Sequence, residues 1–172
     1  MNLRLTIQDR LEIMAIYHNY ARGVDRRDWA ALRACYHPDA VINHGPLQGG
    51  VDDFVRWLGD RYELGGKSVH YLNSPHVDII DEDSVVCETY GHAVSLATEP
   101  VTELFVRYVD IVERRDSGWA ITDHTLVYDL ARNEDGWSRS PKASGDRGSD
   151  DALYAVLARA RQDARSRVVG SH

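Results

Sequence analysis

Residues 17–28 read YHNYARGVDRRD, and the fold turns on them. Apolar residues run into this stretch at helical spacing: Ile7, Leu11, Met14, Tyr17, Ala21 and Val24, with Ile13, Ile16 and Tyr20 widening the stripe. Thr6 is the candidate N-cap, and Asp9 three residues on favours the helix start. Gly23 is expected to break the helix, which leaves Asp25 just past an apolar helix end. Asp28 is placed to cap a second helix through Trp29, Leu32 and Cys35 that ends before Pro38. Capping by Asp28 leaves Asp25 without that task, although Arg22, Arg26 and Arg27 are available to pair with it in solvent.

Working outward, Val41-Ile42-Asn43-His44 reads as a short strand, and Gly45-Pro46 and Gly49-Gly50 punctuate the loop after it. Residues 51–64 form a third helix with Val51, Phe54, Val55, Leu58 and Tyr62 on one face, stopped by Gly65-Gly66. From here the period switches to two. Val69-His70-Tyr71-Leu72 is a short apolar strand, and 76–80, 84–97, 102–115 and 119–130 are strands separated by turns at 81–83, 98–100 and 116–118. Three long antiparallel strands joined by short turns make a meander. A sheet this long must curl, and the helices have apolar faces to lay against it. The fold class is therefore α+β: helices first, then a strongly curved sheet wrapped around a pocket.

Within the long strands, Glu88, Tyr90, His92 and Val94 share a face, as do Leu104, Val106 and Tyr108, and His124, Leu126 and Tyr128. Ile121, Asp123, Thr125, Val127 and Asp129 lie opposite the last set. A concave face of His, Tyr and Leu suits an apolar pocket with a few polar groups. Residues 133–150 are rich in Gly, Ser, Pro and charge and read as a loose segment that can drape over a neighbouring subunit. Asp150 or Asp151 then caps a final helix to about Arg165, with Leu153, Val156, Leu157 and Ala160 on one face. Arg159, Arg161, Arg165 and Arg167 are expected to form a solvated basic face.

At 172 residues the chain is long enough for one domain with a sizeable core. Its net charge of -7, without a Lys/Arg stripe, argues against nucleic acid as a partner. Cys35 and Cys87 sit far apart in apolar contexts and read as reduced core thiols. No charged segment followed by an apolar run opens the chain, and no apolar stretch approaches spanning length, so a cytoplasmic protein with no membrane partner is expected. No zinc spacing, phosphate loop or G-x-S-x-G elbow is present, so no metal or cofactor is expected.

Four features resemble the SnoaL-like branch of the nuclear-transport-factor-2-like superfamily. They are Tyr17-x-x-Tyr20 leading to Gly23-Val24-Asp25 and Asp28-Trp29; Tyr36-His37-Pro38-Asp39-Ala40-Val41; the isolated His70 before Asn73; and Glu113-Arg114-Arg115-Asp116-x-Gly118-Trp119. The chain is most similar to the branch of scytalone dehydratase, hexachlorocyclohexane dehydrochlorinase and bile-acid 7α-dehydratase. The resemblance covers residues 5–131. It implies a cone-shaped α+β barrel over 1–131, with 132–172 as a C-terminal extension. It places the family's catalytic Asp on Asp25 and its catalytic His on His70. Tyr20 falls where the dehydratases have a Tyr. His124 replaces an active-site Arg of the dehydrochlorinase, and Ile42 replaces a cavity Trp. The further Asp of the bile-acid enzyme falls near Val94 and is absent.

The expected site is thus Asp25 and His70 as an acid–base dyad, with Tyr20, Ile42, His92, Tyr108 and His124 around the substrate. This set supports a cofactor-independent lyase of dehydratase type acting on a small hydrophobic or polycyclic molecule. The same dyad serves an isomerase or cyclase, and the fold also hosts non-catalytic binding modules. The resemblance further implies a homo-oligomer, dimer or trimer, built on the outer sheet face.

Overall fold

Helix α1 (Ile7–Arg26) starts as the capping pattern predicts: Thr6 accepts from the Asp9 N–H at 3.1 Å, and Asp9 accepts from the Thr6 N–H at 2.9 Å. The structure, a computed structural model, describes residues 4–63, 66–96, 101–133, 136–138 and 150–169. The Asp9 carboxylate also accepts from the Trp119 indole at 2.9 Å and from Arg114 at 3.2 Å. That turns the Asp9 side of α1 to the sheet. The buried face becomes Asp9, Ile13, Ile16, Tyr17, Tyr20 and Val24, while Ile7 and Leu11 of the expected stripe are exposed.

Gly23 does not break the helix. A Cβ there would lie 3.1 Å from Leu32 Cβ and backbone N, so glycine lets α2 (Trp29–Arg33) pack close against α1. The helix ends instead at Arg27, which takes the left-handed conformation at φ 56°. The N–H groups of Arg27 and Asp28 return to the carbonyls of Val24 and Gly23 at 3.2 and 2.9 Å. Asp25 therefore lies inside the last turn of α1, not beyond it. Asp28 caps α2 as expected, accepting from the Ala31 N–H at 3.0 Å.

The remaining elements are β1 (Tyr36–Asn43), β2 (Gln48–Gly50), α3 (Val51–Tyr62), β3 (Lys67–Leu72), β4 (His76–Ile79), β5 (Ser84–Leu96), β6 (Thr102–Arg115), β7 (Gly118–Asn133), β8 (Gly136–Ser138) and α4 (Ala152–Val169). The expected turn at 98–100 and the helix stop at 65 lie outside the described residues, as does 139–149 of the segment read as loose. The sheet order is β2-β1-β7-β6-β5-β3, with β4 on β5 and β8 on β7. Only β1 and β7 pair in parallel among these neighbours. β1 begins five residues before the expected strand because its register on β7 shifts between Tyr36 and Val41. That irregularity accommodates Pro38, which has no N–H to donate. The sheet is curved and not closed, and with the helices it makes the cone-shaped α+β fold.

The inner layer joins α1 and α3 to the concave sheet face through Tyr17, Phe54, Leu58, Val106, Tyr108 and Leu126. Val51, Phe54, Val55, Leu58 and Tyr62 are all buried, as the helical pattern of α3 predicts. Ile121 joins this inner layer rather than the outer one, because the β6–β7 register shifts beside it, between Ile111 and Val112. Cys35 and Cys87 are buried free thiols.

On the convex face α4 packs Val156, Leu157 and Ala160 onto Val86, Val109, Ile111 and Val127. Its basic residues are not merely solvated: Arg159 pairs with Asp123 at 2.7 Å, and Arg167 with Glu113 at 2.6 Å. The start of α4 is held by a buried cation. Arg107 of β6 bonds Glu88 at 2.7 Å, Asp129 at 2.9 Å and Asp151 at 2.7 Å. These hydrogen bonds, that to Asp151 foremost, push its pKa up, so its charge is permanent.

Two outcomes follow for stability. Arg107→Met leaves three carboxylates without their cation and should cost about 3–5 kcal/mol in urea unfolding; a loss within experimental error would show that α4 is held by its apolar face alone. Asp9, held at about 2 against an ordinary 3.8 by the Thr6 and Trp119 hydrogen bonds, contributes stability above 3.8 that is lost as pH falls through about 2. Asp9→Asn should therefore be less stable than wild type at pH 6, with the gap closing between pH 3.8 and about 2.

Candidate active site

The concave face encloses a cavity of about 360 Å³ between α1, α3 and strands β5 to β7. Its volume comes from small residues. The inward positions of β5 are Gly91, Ala93 and Ser95, where a Cβ on Gly91 would approach Leu72 Cδ2 to 2.8 Å and Tyr108 to 3.1 Å. Leu58, Leu104, Val106 and Leu126 supply apolar walls.

Asp25 and His70 meet at this cavity. Ser68 and His70 alternate on β3 and so face α1 together. His70 Nδ1 lies 2.6 Å from Asp25 Oδ1, the His70 backbone N–H donates to Asp25 Oδ2 at 2.9 Å, and the Ser68 hydroxyl donates to Oδ1 at 2.9 Å. Partial burial alone would raise the Asp25 pKa. The hydrogen bond and charge of His70, its backbone N–H and the Ser68 hydroxyl outweigh this and hold the carboxyl below its ordinary value. With Asp25 a carboxylate, the shared proton sits on Nδ1. Nε2 is the ring nitrogen that the Asp25 contact leaves free, on a residue that lines the cavity.

Of the other expected site residues, Tyr20 and Tyr108 line the cavity, their ring centroids 5.2 Å apart. Burial raises both phenols well above their ordinary range, so they are neutral donors. His124 does not line the cavity. It lies one layer behind, stacked 5.3 Å from Tyr108 and buried. Ile42 is fully buried in the core beneath the cavity rather than in its wall. His92 lies outside the cavity, contrary to expectation. It shares a face with Glu88 and Tyr90, but that face is the outer one, because the inward positions of β5 are the odd-numbered residues. There His92 stacks on Phe105 at 4.5 Å and pairs with Glu103 at 2.7 Å.

The sequence reading missed His44, Trp57 and Arg61 in the cavity wall, and Asp110 behind it. The helical spacing of Trp57 and Arg61 after Phe54 was the available signal. Among the described residues no three His, Cys, Asp or Glu side chains are arranged to hold a metal ion, and no helix is long and apolar enough to cross a membrane.

A SnoaL-like domain model matches residues 5–125. The chain belongs to the SnoaL-like domain family. Solved structures that share the SnoaL-like fold include the Kfla4162 protein of Kribbella flavida, at 17% identity and a TM-score of 0.64, covering 72% of this chain and 93% of that one. A hexachlorocyclohexane dehydrochlorinase of Novosphingobium barchaimii matches at 19% identity and TM-score 0.62, covering 74% and 94%. ActVI-ORFA of Streptomyces coelicolor matches at 16% identity and TM-score 0.58, covering 69% and 96%. No functionally curated protein matches the chain significantly in sequence.

Filling the space above Ala93 tests the cavity directly. Ala93→Phe should abolish uptake of an apolar fluorescent probe while leaving far-UV circular dichroism unchanged. Undiminished uptake would place the binding cavity elsewhere.

Proposed function

We propose that this SnoaL-like protein is a cofactor-independent lyase of the dehydratase type, acting on a small hydrophobic or polycyclic molecule. The observation that carries the reading is the 2.6 Å contact between Asp25 and His70 in the wall of a mostly apolar cavity. The carboxylate fixes the ring tautomer and stabilises the imidazolium that forms on proton uptake. His70 Nε2 then acts as a general base toward a C–H made acidic by a neighbouring carbonyl. Tyr20, a neutral phenol in the same wall, donates to the carbonyl oxygen as negative charge develops there. The C–H electron pair becomes the new C=C bond. The leaving hydroxyl departs as water with the proton returned from His70. Every proton is accounted for by the dyad and the substrate, so this sequence of steps calls on no cofactor.

The same base returning its proton to another carbon gives an isomerase or cyclase, and product mass separates the cases: loss of water against no change. A binding module without catalysis has no use for a carboxylate-backed His in its wall, but saturable binding without turnover would favour it. The homo-oligomer implied by the resemblance would have to form on surface that α4 leaves open, and sedimentation velocity measures it.

The test is incubation of wild type, His70→Ala and Asp25→Asn with a panel of β-hydroxy ketones, steroids and polyketide-like phenols, read by mass spectrometry. Wild type should release water from at least one member. His70→Ala and Asp25→Asn should lower kcat about 10²–10⁴-fold with KM little changed. Equal turnover by wild type and His70→Ala would remove the dyad from the mechanism.

A further inference from the structure

Behind the cavity wall lies a second histidine–carboxylate system that the dyad does not use. Asp110 and His124 are directly opposite one another on β6 and β7, with His124 Nδ1 2.8 Å from Asp110 Oδ1. His124 Nε2 in turn lies 3.0 Å from Nε2 of His44. His44 follows β1, whose Ile42 is paired in parallel with His124. Exposure rises along the row, from 0% at Asp110 through 1% at His124 to 6% at His44, and of the three only His44 lines the cavity. The row runs from the sealed core to the cavity wall.

Protons in this row are ordered by elementary bookkeeping. A carboxylate only accepts, so His124 Nδ1 carries the proton of the first contact. With His124 in its neutral form, Nε2 is an acceptor, and His44 donates to it through its own Nε2–H. His44 Nδ1 is left unprotonated, with no hydrogen-bond partner among the described residues. We propose that His44, His124 and Asp110 form a proton relay that makes His44 a second base of the cavity, receiving the proton of an acidic hydroxyl on the ligand.

The ligand proton passes to His44 Nδ1, the His44 Nε2–H passes to His124 Nε2, and the O–H electron pair stays on the ligand as an oxyanion. His44 ends neutral, with its tautomer switched. The imidazolium forms on His124, against Asp110. This answers an otherwise awkward fact. His44 by itself is a poor base, because burial, and then positive charge on any of its neighbours His124, His70 and Arg61, holds its pKa well below the ordinary value. The relay moves the positive charge off His44 to His124, against the buried Asp110 carboxylate. Of the groups facing His44, Arg61 of α3 lines the same cavity and brings positive charge toward an oxyanion there, while the Tyr20 hydroxyl lies 3.5 Å from His44 Nε2 and the Tyr128 hydroxyl is spent on the His44 carbonyl at 3.1 Å. The ligand class is an apolar molecule bearing a phenol or enol hydroxyl. This deepens the lyase reading, since a substrate so ionised is activated before His70 acts, yet its test requires no turnover.

The probe is 4-nitrophenol, whose anion is yellow and whose neutral form is not, titrated with protein in buffer below the phenol's own pKa. Wild type should raise the anion-to-phenol ratio of bound over free probe about tenfold or more, one pKa unit or beyond. His44→Gln and His124→Phe should bind the probe un-ionised, whereas His70→Gln should retain the yellow anion. In parallel, ¹⁵N spectra of histidine-labelled wild type should show His44 protonated on Nε2 alone when free. With probe bound, His44 should be protonated on Nδ1 alone and His124 on both nitrogens. Failure of the probe to bind, binding without ionisation, ionisation that survives in His44→Gln or is lost in His70→Gln, or an imidazolium on His44 itself would each overturn the relay. Loss of the relay with intact turnover would leave the dyad standing, and an intact relay without turnover would leave the relay standing.

Discussion

Helix α1 is held at both ends by a carboxylate. At its start Asp9 closes the capping box and accepts from Trp119 and Arg114 of the sheet. At its end Asp25 accepts from Ser68 and twice from His70. The two aspartates are sixteen residues apart, about 24 Å of helix at 1.5 Å per residue. A rod fixed at two such distant points cannot roll or slide on the sheet. Tyr17, Tyr20 and Val24 are thereby held toward the concave face, and the cavity inherits a fixed wall. The interaction that orients the His70 ring is also one of the two that fix the helix.

The convex side follows a different logic. Its apolar strip is closed by α4, and the docking is specified by one buried guanidinium shared among Glu88, Asp129 and Asp151. Apolar contact alone tolerates sliding, whereas a planar fork facing three carboxylates does not. The two faces of the same three strands thus serve separate ends: the inner one shapes a pocket, and the outer one anchors a helix.

Much of this was legible in residue order. Alternation groups Tyr108 with Val106, and Leu126 with Tyr128, on shared strand faces, the capping pattern points to Thr6 and Asp9, and the helical spacing of α3 gives its buried face residue by residue. The contact between Asp25 and His70 follows from the resemblance together with their isolation, Asp25 having no capping duty and His70 standing alone in an apolar strand, while their catalytic role stands as a proposal. What escaped has physical causes. Local propensity makes Gly23 a helix breaker and cannot see Leu32 packed where a Cβ would stand. His92 was placed inward because alternation gives two faces without saying which one is concave. Asp110 and His44 were invisible because they meet His124 only through strand pairings that span 14 and 80 residues.

Consider, finally, the three small residues Gly91, Ala93 and Ser95 on the inner side of β5. None carries acid–base chemistry, and all lie on one strand whose backbone is secured by neighbours on both sides. On the proposed function, reaction type and molecular fit are written in separate places: the first in histidines and carboxylates on other strands and on α1, the second in how much side chain one strand projects. A lineage carrying this scaffold could exchange one guest molecule for another by altering a few atoms along β5, without disturbing the groups that move protons. Such modularity offers a physical route by which one architecture comes to serve many chemically distinct guests.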